Sequence, residues 1–423
     1  MQANTGLLFL FVLVAVFSLL MRFAEPTLAN SSDDLRALRS EVTQLYQQGK
    51  HAEGVPIAEN YAALAKDRFG EDHAEYALAI VWLGVGYAAV GRYAEAEALY
   101  KSGLAILENV MGPDHPNVAT ALGSLAELYR IHGRGAQAVP LYKRALAIRE
   151  QALGPEHPHV GTSLNNLAGL YQSQGRTADA EPLYKRALAI REKALGPDHP
   201  QVATSLNNLA VLYQSRGRDA DAAPLYQRAL AIVGKSLGPN HPRVGTTLNN
   251  LAGLYRDQGR TTEAELLYER ALIIAEKELG GDHPNVAVSM NNLGGLYMVQ
   301  GRFQEAAPYF ERALQIREVA LGSRHPDVAS SLNNLALLYQ KLDRTTDAER
   351  LYKRALTVAE RALGPDHPNV ATSLNNLALL YETMGRVADA TSLYKRVVAI
   401  REKTWGPSHP DVGHIAREPR LAL

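Results

Sequence analysis

Three things are missing from this 423-residue chain: cysteine, an excess of either charge, and any familiar catalytic signature. Without a thiol there is no disulfide framework, zinc ribbon, iron–sulfur site or cysteine nucleophile. With 44 Lys+Arg against 44 Asp+Glu, the formal net charge is zero. A nucleic-acid binder needs a basic excess to neutralise phosphates, so no nucleic-acid partner is expected. No G-x-S-x-G, H-E-x-x-H, Gly-rich phosphate loop or dinucleotide fingerprint occurs, and neither an enzyme nor a cofactor is expected. What is there reads as folded, with 46% hydrophobic and 21% charged residues. A prior of roughly 100–200 residues per domain gives about three domains, unless the chain is a repeat array that grows without enlarging one core.

Residues 7–21 form an apolar run interrupted only by Ser18. As a helix these 15 residues reach roughly 23 Å at ~1.5 Å per residue, short of the ~30 Å hydrocarbon core. That length suits the core of an export signal, and Thr27-Leu28-Ala29 supplies small residues at a cleavage spacing. The leader MQANT has no Lys or Arg, however, and Arg22 follows the run, which favours the opposite orientation. Residues 1–29 are therefore expected to be a signal peptide or a membrane anchor. Cleavage would make the protein exported, periplasmic or extracellular; retention would tether it to a membrane through residues 7–21.

A strict repeat decides the architecture. His-Pro occurs at His115, His157, His199, His241, His283, His325, His367 and His409, each 42 residues after the last; His73 keeps the histidine but precedes Ala74. Tyrosine recurs on the same beat from Tyr87 to Tyr381, alanine from Ala96 to Ala390 and leucine from Leu83 to Leu377. Within the period 158–199, Pro158 suits a first helical turn, and Leu164, Leu167, Ala168 and Tyr171 form an i, i+3, i+4, i+7 face. Gly175-Arg176 ends that helix, because glycine accepts the left-handed conformation of a C-cap. A second helix is predicted from about Thr177, with Ala180, Leu183, Tyr184, Ala187, Leu188 and Ile190 on one broad face and Pro182 in its first turns, where proline costs least. Gly196-Pro197 ends it. One such hairpin cannot cover its own apolar faces, so neighbours must stack into an all-α solenoid.

Leu164-x-x-Leu167-Ala168-x-x-Tyr171, Gly175, Ala180, Tyr184 and Ala187 resemble the tetratricopeptide (TPR) pattern. The 42-residue period, the LG-P-x-H-P joint and the L-N-N-L-A-x-L-Y helix are similar to the TPR arrays of kinesin light chains and of related bacterial proteins. The resemblance covers about residues 74–409 and implies a right-handed superhelical solenoid of antiparallel helix pairs. The heptad coiled coil of kinesin light chains has no counterpart here, so no motor role is expected. Asp343 replaces the hairpin glycine and Phe310 a tyrosine. The expected organisation is 1–29 leader, 30–73 linker and degenerate capping helix pair, 74–409 eight tandem repeats, and 410–423 a short tail. The capping pair starts at Ser31-Ser32-Asp33-Asp34, stops at Gly49, and resumes over 53–69.

Function in such arrays usually lies on the concave surface of the first helices. At ~100° per residue, the direction opposite the buried face of the specimen repeat is occupied by Thr162, Asn166, Gly169 and Ser173, with Asn165 on one shoulder. The Asn pair recurs at 207–208, 249–250, 291–292, 333–334 and 375–376, although each mid-helix Asn costs roughly 0.5 kcal/mol relative to Ala. A carboxamide offers a donor and an acceptor, matching an extended peptide backbone. The resemblance implies that the second Asn contacts peptide: Asn166, Asn208, Asn250, Asn292, Asn334 and Asn376. Alternatively the pairs only brace neighbouring repeats, a role the helix phase favours for the first Asn.

The periodic histidines are not expected to bind metal. Stacked repeats lie ~10 Å or more apart, whereas metal ligands must lie ~2.0–2.1 Å from one ion. The histidines are expected to organise the joint before the next helix. The basic runs alternate with acids on second helices, an ordinary solvated face. The expected function is a non-enzymatic scaffold holding an extended segment of a protein partner in a neutral, polar groove. The alternatives are a structural protein that forms homo-oligomers through its ends or convex face, and an accessory subunit of an enzyme encoded elsewhere.

Overall fold

The computed structural model describes residues 33–405. Among the described residues there are 18 α-helices and no strand. The pair α1 (Asp33–Gln47) and α2 (His51–Phe69) precedes eight regular hairpins. These are α3 (Ala74–Ala89) with α4 (Tyr93–Met111), α5 (Pro116–Ile131) with α6 (Gly135–Leu153), α7 (Pro158–Ser173) with α8 (Thr177–Leu195), and α9 (Pro200–Ser215) with α10 (Asp219–Leu237). They continue as α11 (Pro242–Asp257) with α12 (Thr261–Leu279), α13 (Pro284–Val299) with α14 (Phe303–Leu321), α15 (Pro326–Lys341) with α16 (Thr345–Leu363), and α17 (Pro368–Thr383) with α18 (Val387–Trp405). The expected leader, residues 1–29, and the expected tail, residues 410–423, lie outside the described residues. Among the described residues no helix is long and apolar enough to cross a membrane.

The described chain divides into two compact units: residues 33–259 with 273–279, and residues 260–272 with 280–405. In the first unit each helix from α1 to α11 packs on the next; in the second the same holds from α13 to α18. First helices also touch directly, α3 to α5, α5 to α7, α7 to α9 and α9 to α11 in one unit, α13 to α15 and α15 to α17 in the other. Both units are therefore stretches of all-α solenoid, with first helices side by side.

The sequence fits this geometry position by position. Alanines 168, 180 and 187 are fully buried where backbones approach, and Val160, Leu164, Ala187 and Ile190 form one core cluster with Leu146 and Leu183 against it. The turn between α7 and α8 satisfies the last carbonyls by a Schellman pair: Arg176 N–H donates to Tyr171 O (2.8 Å) and Gly175 N–H to Gln172 O (3.0 Å). Gly175 pays no Cβ penalty at φ +72°. Asp343 holds the same position at φ +58°, in the left-handed region that a short polar side chain tolerates better than a branched one. Pro182 is the sixth residue of α8, past the four N–H groups that lack intrahelical partners anyway. It therefore lies within the first turns that the sequence suggested, but beyond the one turn in which proline removes no hydrogen bond.

Candidate functional site

The joints between first helices split three of the Asn pairs. Asn165 Nδ2 donates to Ser205 Oγ (3.1 Å) and Asn207 Nδ2 to Thr247 Oγ1 (3.1 Å) in the first unit. In the second, Asn333 Nδ2 donates to Ser373 Oγ (2.9 Å). Asn291 departs from this, donating to Ala287 O (2.8 Å) and accepting from Asn334 Nδ2 (3.0 Å). Among the described residues, Asn166, Asn208, Asn250, Asn292 and Asn376 have no side-chain hydrogen-bond partner in the protein. Asn165, Asn207 and Asn333 thus tie a repeat to its neighbour, while the second Asn of each of these pairs stands on the outward row.

Buried arginines lie under this row. Arg191, 3% exposed, reaches from α8 to donate to Thr162 Oγ1 (3.1 Å), Ser205 Oγ (2.9 Å) and Gln201 O (3.1 Å). Arg149 meets Ser163 Oγ (2.6 Å), and Arg317 meets Ser331 Oγ (3.0 Å) and Asp327 O (2.9 Å). Among the described residues no carboxylate forms an ion pair with Arg149, Arg191 or Arg317. Burial pushes the Arg149 and Arg191 guanidiniums down to about 10, with Arg243 adding to the effect at Arg191. Each of these guanidiniums uses neutral hydroxyls or carbonyls as partners, so its repeat joint is sensitive to any change in those groups.

The outward row itself changes along the chain. On α3 it is Leu78, Trp82, Val85 and Ala89, all buried. On α5 it includes Thr120, Ser124 and Glu127, also buried; Glu127 receives two bonds from Arg130 (2.6 and 2.8 Å) and one from Tyr142 (2.6 Å). Asn166 on α7 is 8% exposed, whereas Asn208 and Asn250 are half-buried. In the second unit Asn292 and Asn376 are half-buried, Asn334 is exposed, and Leu337 and Leu379 stand 43% and 46% exposed. The neutral polar surface expected from the repeat at 158–199 therefore needs correction at Glu127 and at these leucines. They occupy the position of Gly169, and a position-by-position comparison of all eight repeats would have exposed them.

The periodic histidines cap helices. In His73, His115, His157, His199, His241, His283, His325 and His367, Nδ1 accepts from the backbone N–H two residues on, at 3.0–3.2 Å. An N-cap acceptor is usually a Ser, Thr, Asp or Asn oxygen; here an imidazole nitrogen does the same work, before N1 proline in all but His73. Burial lowers the pKa of His115, His199, His241 and His325. Among the described residues no group of three His, Asp or Glu could hold a metal ion.

Hairpin turns carry a second periodic device. Arg176 lies 4.1 Å over the Tyr171 ring and bonds Asp179 (2.8 Å), and Arg218 repeats this with Tyr213 and Asp221. Glu181 joins Lys185 (2.8 Å), Arg216 (2.6 Å), Arg218 (3.3 Å) and Tyr213 (3.2 Å). The bond from Lys185, against partial burial and helped by Tyr213 and Arg218, holds its carboxyl down at about 2. Such a glutamate occurs in every second repeat, at Glu97, Glu181, Glu265 and Glu349, a double period that the 42-residue beat conceals.

Similarity to known proteins matches this anatomy. The family model described as Tetratricopeptide repeat matches residues 77–151, 130–193, 159–235, 220–277, 243–318, 289–360 and 327–403. Among solved structures, a Podosopora anserina protein of nearly identical TPR-like repeats, assigned to the kinesin light chains, is 31% identical over 49% of this chain and 97% of its own, with TM-score 0.42. BtubC (BKLC) from P. vanneervenii is 26% identical over 55% of this chain and 91% of its own, with TM-score 0.43. A Rap protein complexed with competence and sporulation factor is 13% identical, covers 88% of this chain and 99% of its own with TM-score 0.58, and shares the fold. None of the curated proteins matches the chain.

Proposed function

The chain belongs to the tetratricopeptide repeat family, and from that premise we propose that it is a non-enzymatic scaffold whose first-helix face holds an extended segment of a partner protein. Protein interaction is the general role of this architecture. The finer reading rests on one observation: Asn165, Asn207 and Asn333 are used between repeats, while Asn166, Asn208, Asn250, Asn292 and Asn376 keep their carboxamides free of protein partners. Within each unit these asparagines, joined by Asn334 in the second, form a row of donors and acceptors, the chemistry that an extended backbone lacks partners for. A helix interior gains nothing from such residues by propensity.

The test is a triple substitution of Asn208, Asn250 and Asn292 to Ala. Capture of the native partner, identified by crosslinking in the host, should drop at least tenfold while the thermal midpoint stays within a few degrees. Undiminished capture from a protein that melts much earlier would show the row to be structural and would sink the groove.

A further inference from the structure

The second unit narrows which segment fits, and this step rests on the groove reading above. Its outward row pairs Asn292, Asn334 and Asn376 with Gly295, Leu337 and Leu379 three residues further along each helix. The corresponding residues of α7, α9 and α11 are Gly169, Val211 and Gly253, so exposed leucine enters only in the second unit. A single exposed leucine is ordinary. Two on adjoining first helices, each beside an outward Asn, make a repeated pair of one apolar and one hydrogen-bonding contact.

Charge and spacing then select the ligand. At the outward positions of α13, α15 and α17 the ionisable side chain is Lys341; the others are Val288, Ser330, Thr372, Val299 and Thr383 beside the Asn and Gly/Leu rows. A charged side chain entering there would lose water and meet little compensating charge, whereas an aliphatic one would bury area against Leu337 and Leu379. These first helices pack directly on one another, which sets neighbouring rows ~10 Å apart. A fully pleated strand returns to the same side every second residue, ~7 Å on, and misses that step. A polyproline-II segment returns every third residue at ~3.1 Å each, about 9 Å, and leaves its backbone N–H and C=O groups unpaired for the Asn row.

We infer that the second unit recognises an uncharged, polyproline-II-like segment with an aliphatic side chain at every third residue, the aliphatics on Leu337 and Leu379 and the backbone on Asn334 and Asn376. The experiment is selection of a random 12-residue peptide library on the full chain. Fluorescein-labelled winners are then measured by anisotropy on wild type, on Leu337→Ser with Leu379→Ser, and on the Asn208, Asn250, Asn292 triple variant. Both leucines are exposed, so the double variant should melt like wild type.

The expected result is winners with aliphatics at a period of three whose affinity falls at least tenfold in the leucine variant. Charged winners, or winners indifferent to the leucines yet weakened by the Asn changes, overturn this inference and leave the groove standing. No winners, or winners indifferent to both variants, overturn the groove as well. Loss of self-association in the leucine variant by sedimentation would assign the face to a second copy of the chain and also overturn the inference.

Discussion

In the first unit α3 turns Leu78, Trp82, Val85 and Ala89 outward from its hairpin core, and all four are buried; in the second, α15 turns out Ser330, Asn334, Leu337 and Lys341, and all four are exposed. The residues behind those rows hardly differ. Leu83 corresponds to Leu335, Tyr87 to Tyr339 and Ala96 to Ala348, all buried except the half-buried Tyr87. The two helices share a frame and differ in a face. Periodicity therefore marks what builds the array, and departure from it marks where repeats have been given different work.

The largest effects should come from breaking the frame, and they should be the same in both units. Tyr226 and Tyr352 are fully buried at equivalent positions of α10 and α16, and Tyr226 donates to Gln214 Oε1 (3.0 Å). Truncating either to Ala should cost about 3–5 kcal/mol, the range for large aromatic deletions in a core. Because repeats are stabilised mainly by nearest neighbours, hydrogen exchange should show the loss centred on the altered hairpin. A cost below about 1 kcal/mol in one unit would mean that the frame is not shared.

Smaller effects should separate frame from face within two adjacent residues. Asn207→Ala removes the bond to Thr247 and should cost about 1 kcal/mol. Asn208→Ala removes no bond within the chain and should lie within about 0.5 kcal/mol of wild type, on the stabilising side because Ala is the better helix former. Urea unfolding of the two single variants measures both. The reverse order would place Asn208 in the frame and remove the basis for a ligand-facing row.

The frame was legible because it repeats: proline at N1, glycine at the turns, and the Leu–Leu–Ala–Tyr stripe obey local rules that hold whatever lies beside them. The split of the Asn pairs was half legible, since helix phase sets the first Asn toward the neighbouring repeat but cannot say whether a hydroxyl waits there. Arg191 was not legible. In Ala-Ile-Arg-Glu it reads as one more surface charge, and only Thr162 and Ser205, on two other helices, make it an internal strut. Glu127 and Leu337 were missed for another reason. One repeat was read for all eight, and a consensus averages away the positions where repeats differ.

The smallest effect at neutral pH belongs to the histidine caps, and there the comparison sharpens with acid. His241 Nδ1 accepts from Arg243 N–H at 3.1 Å, which requires the ring nitrogen to be unprotonated. Burial and the Arg243 charge lower its pKa, while Glu278 opposes them. The folded protein therefore binds fewer protons than the unfolded chain as pH falls past the unfolded histidine value, ~6.5. Stability from the cap is complete above that value and is lost progressively as pH falls from it through the lower folded pKa. His241→Asn keeps a cap acceptor that does not titrate; at pH 7.5 it should differ from wild type by no more than about 0.5 kcal/mol. Below pH ~6 the variant should become the more stable of the two, because the wild-type ring must either stay neutral at a cost or place a positive charge at the positive end of α11. Thermal melts of both proteins at pH 7.5 and pH 5 give the comparison, and a difference that does not change with pH would show that His241 does not hold its helix as a titrating cap. Since the same bond recurs in His115 and His199 of the first unit and His325 of the second, replacing all four should reduce this part of the acid sensitivity in both units, most in the first, leaving more of it to carboxylates such as Glu181.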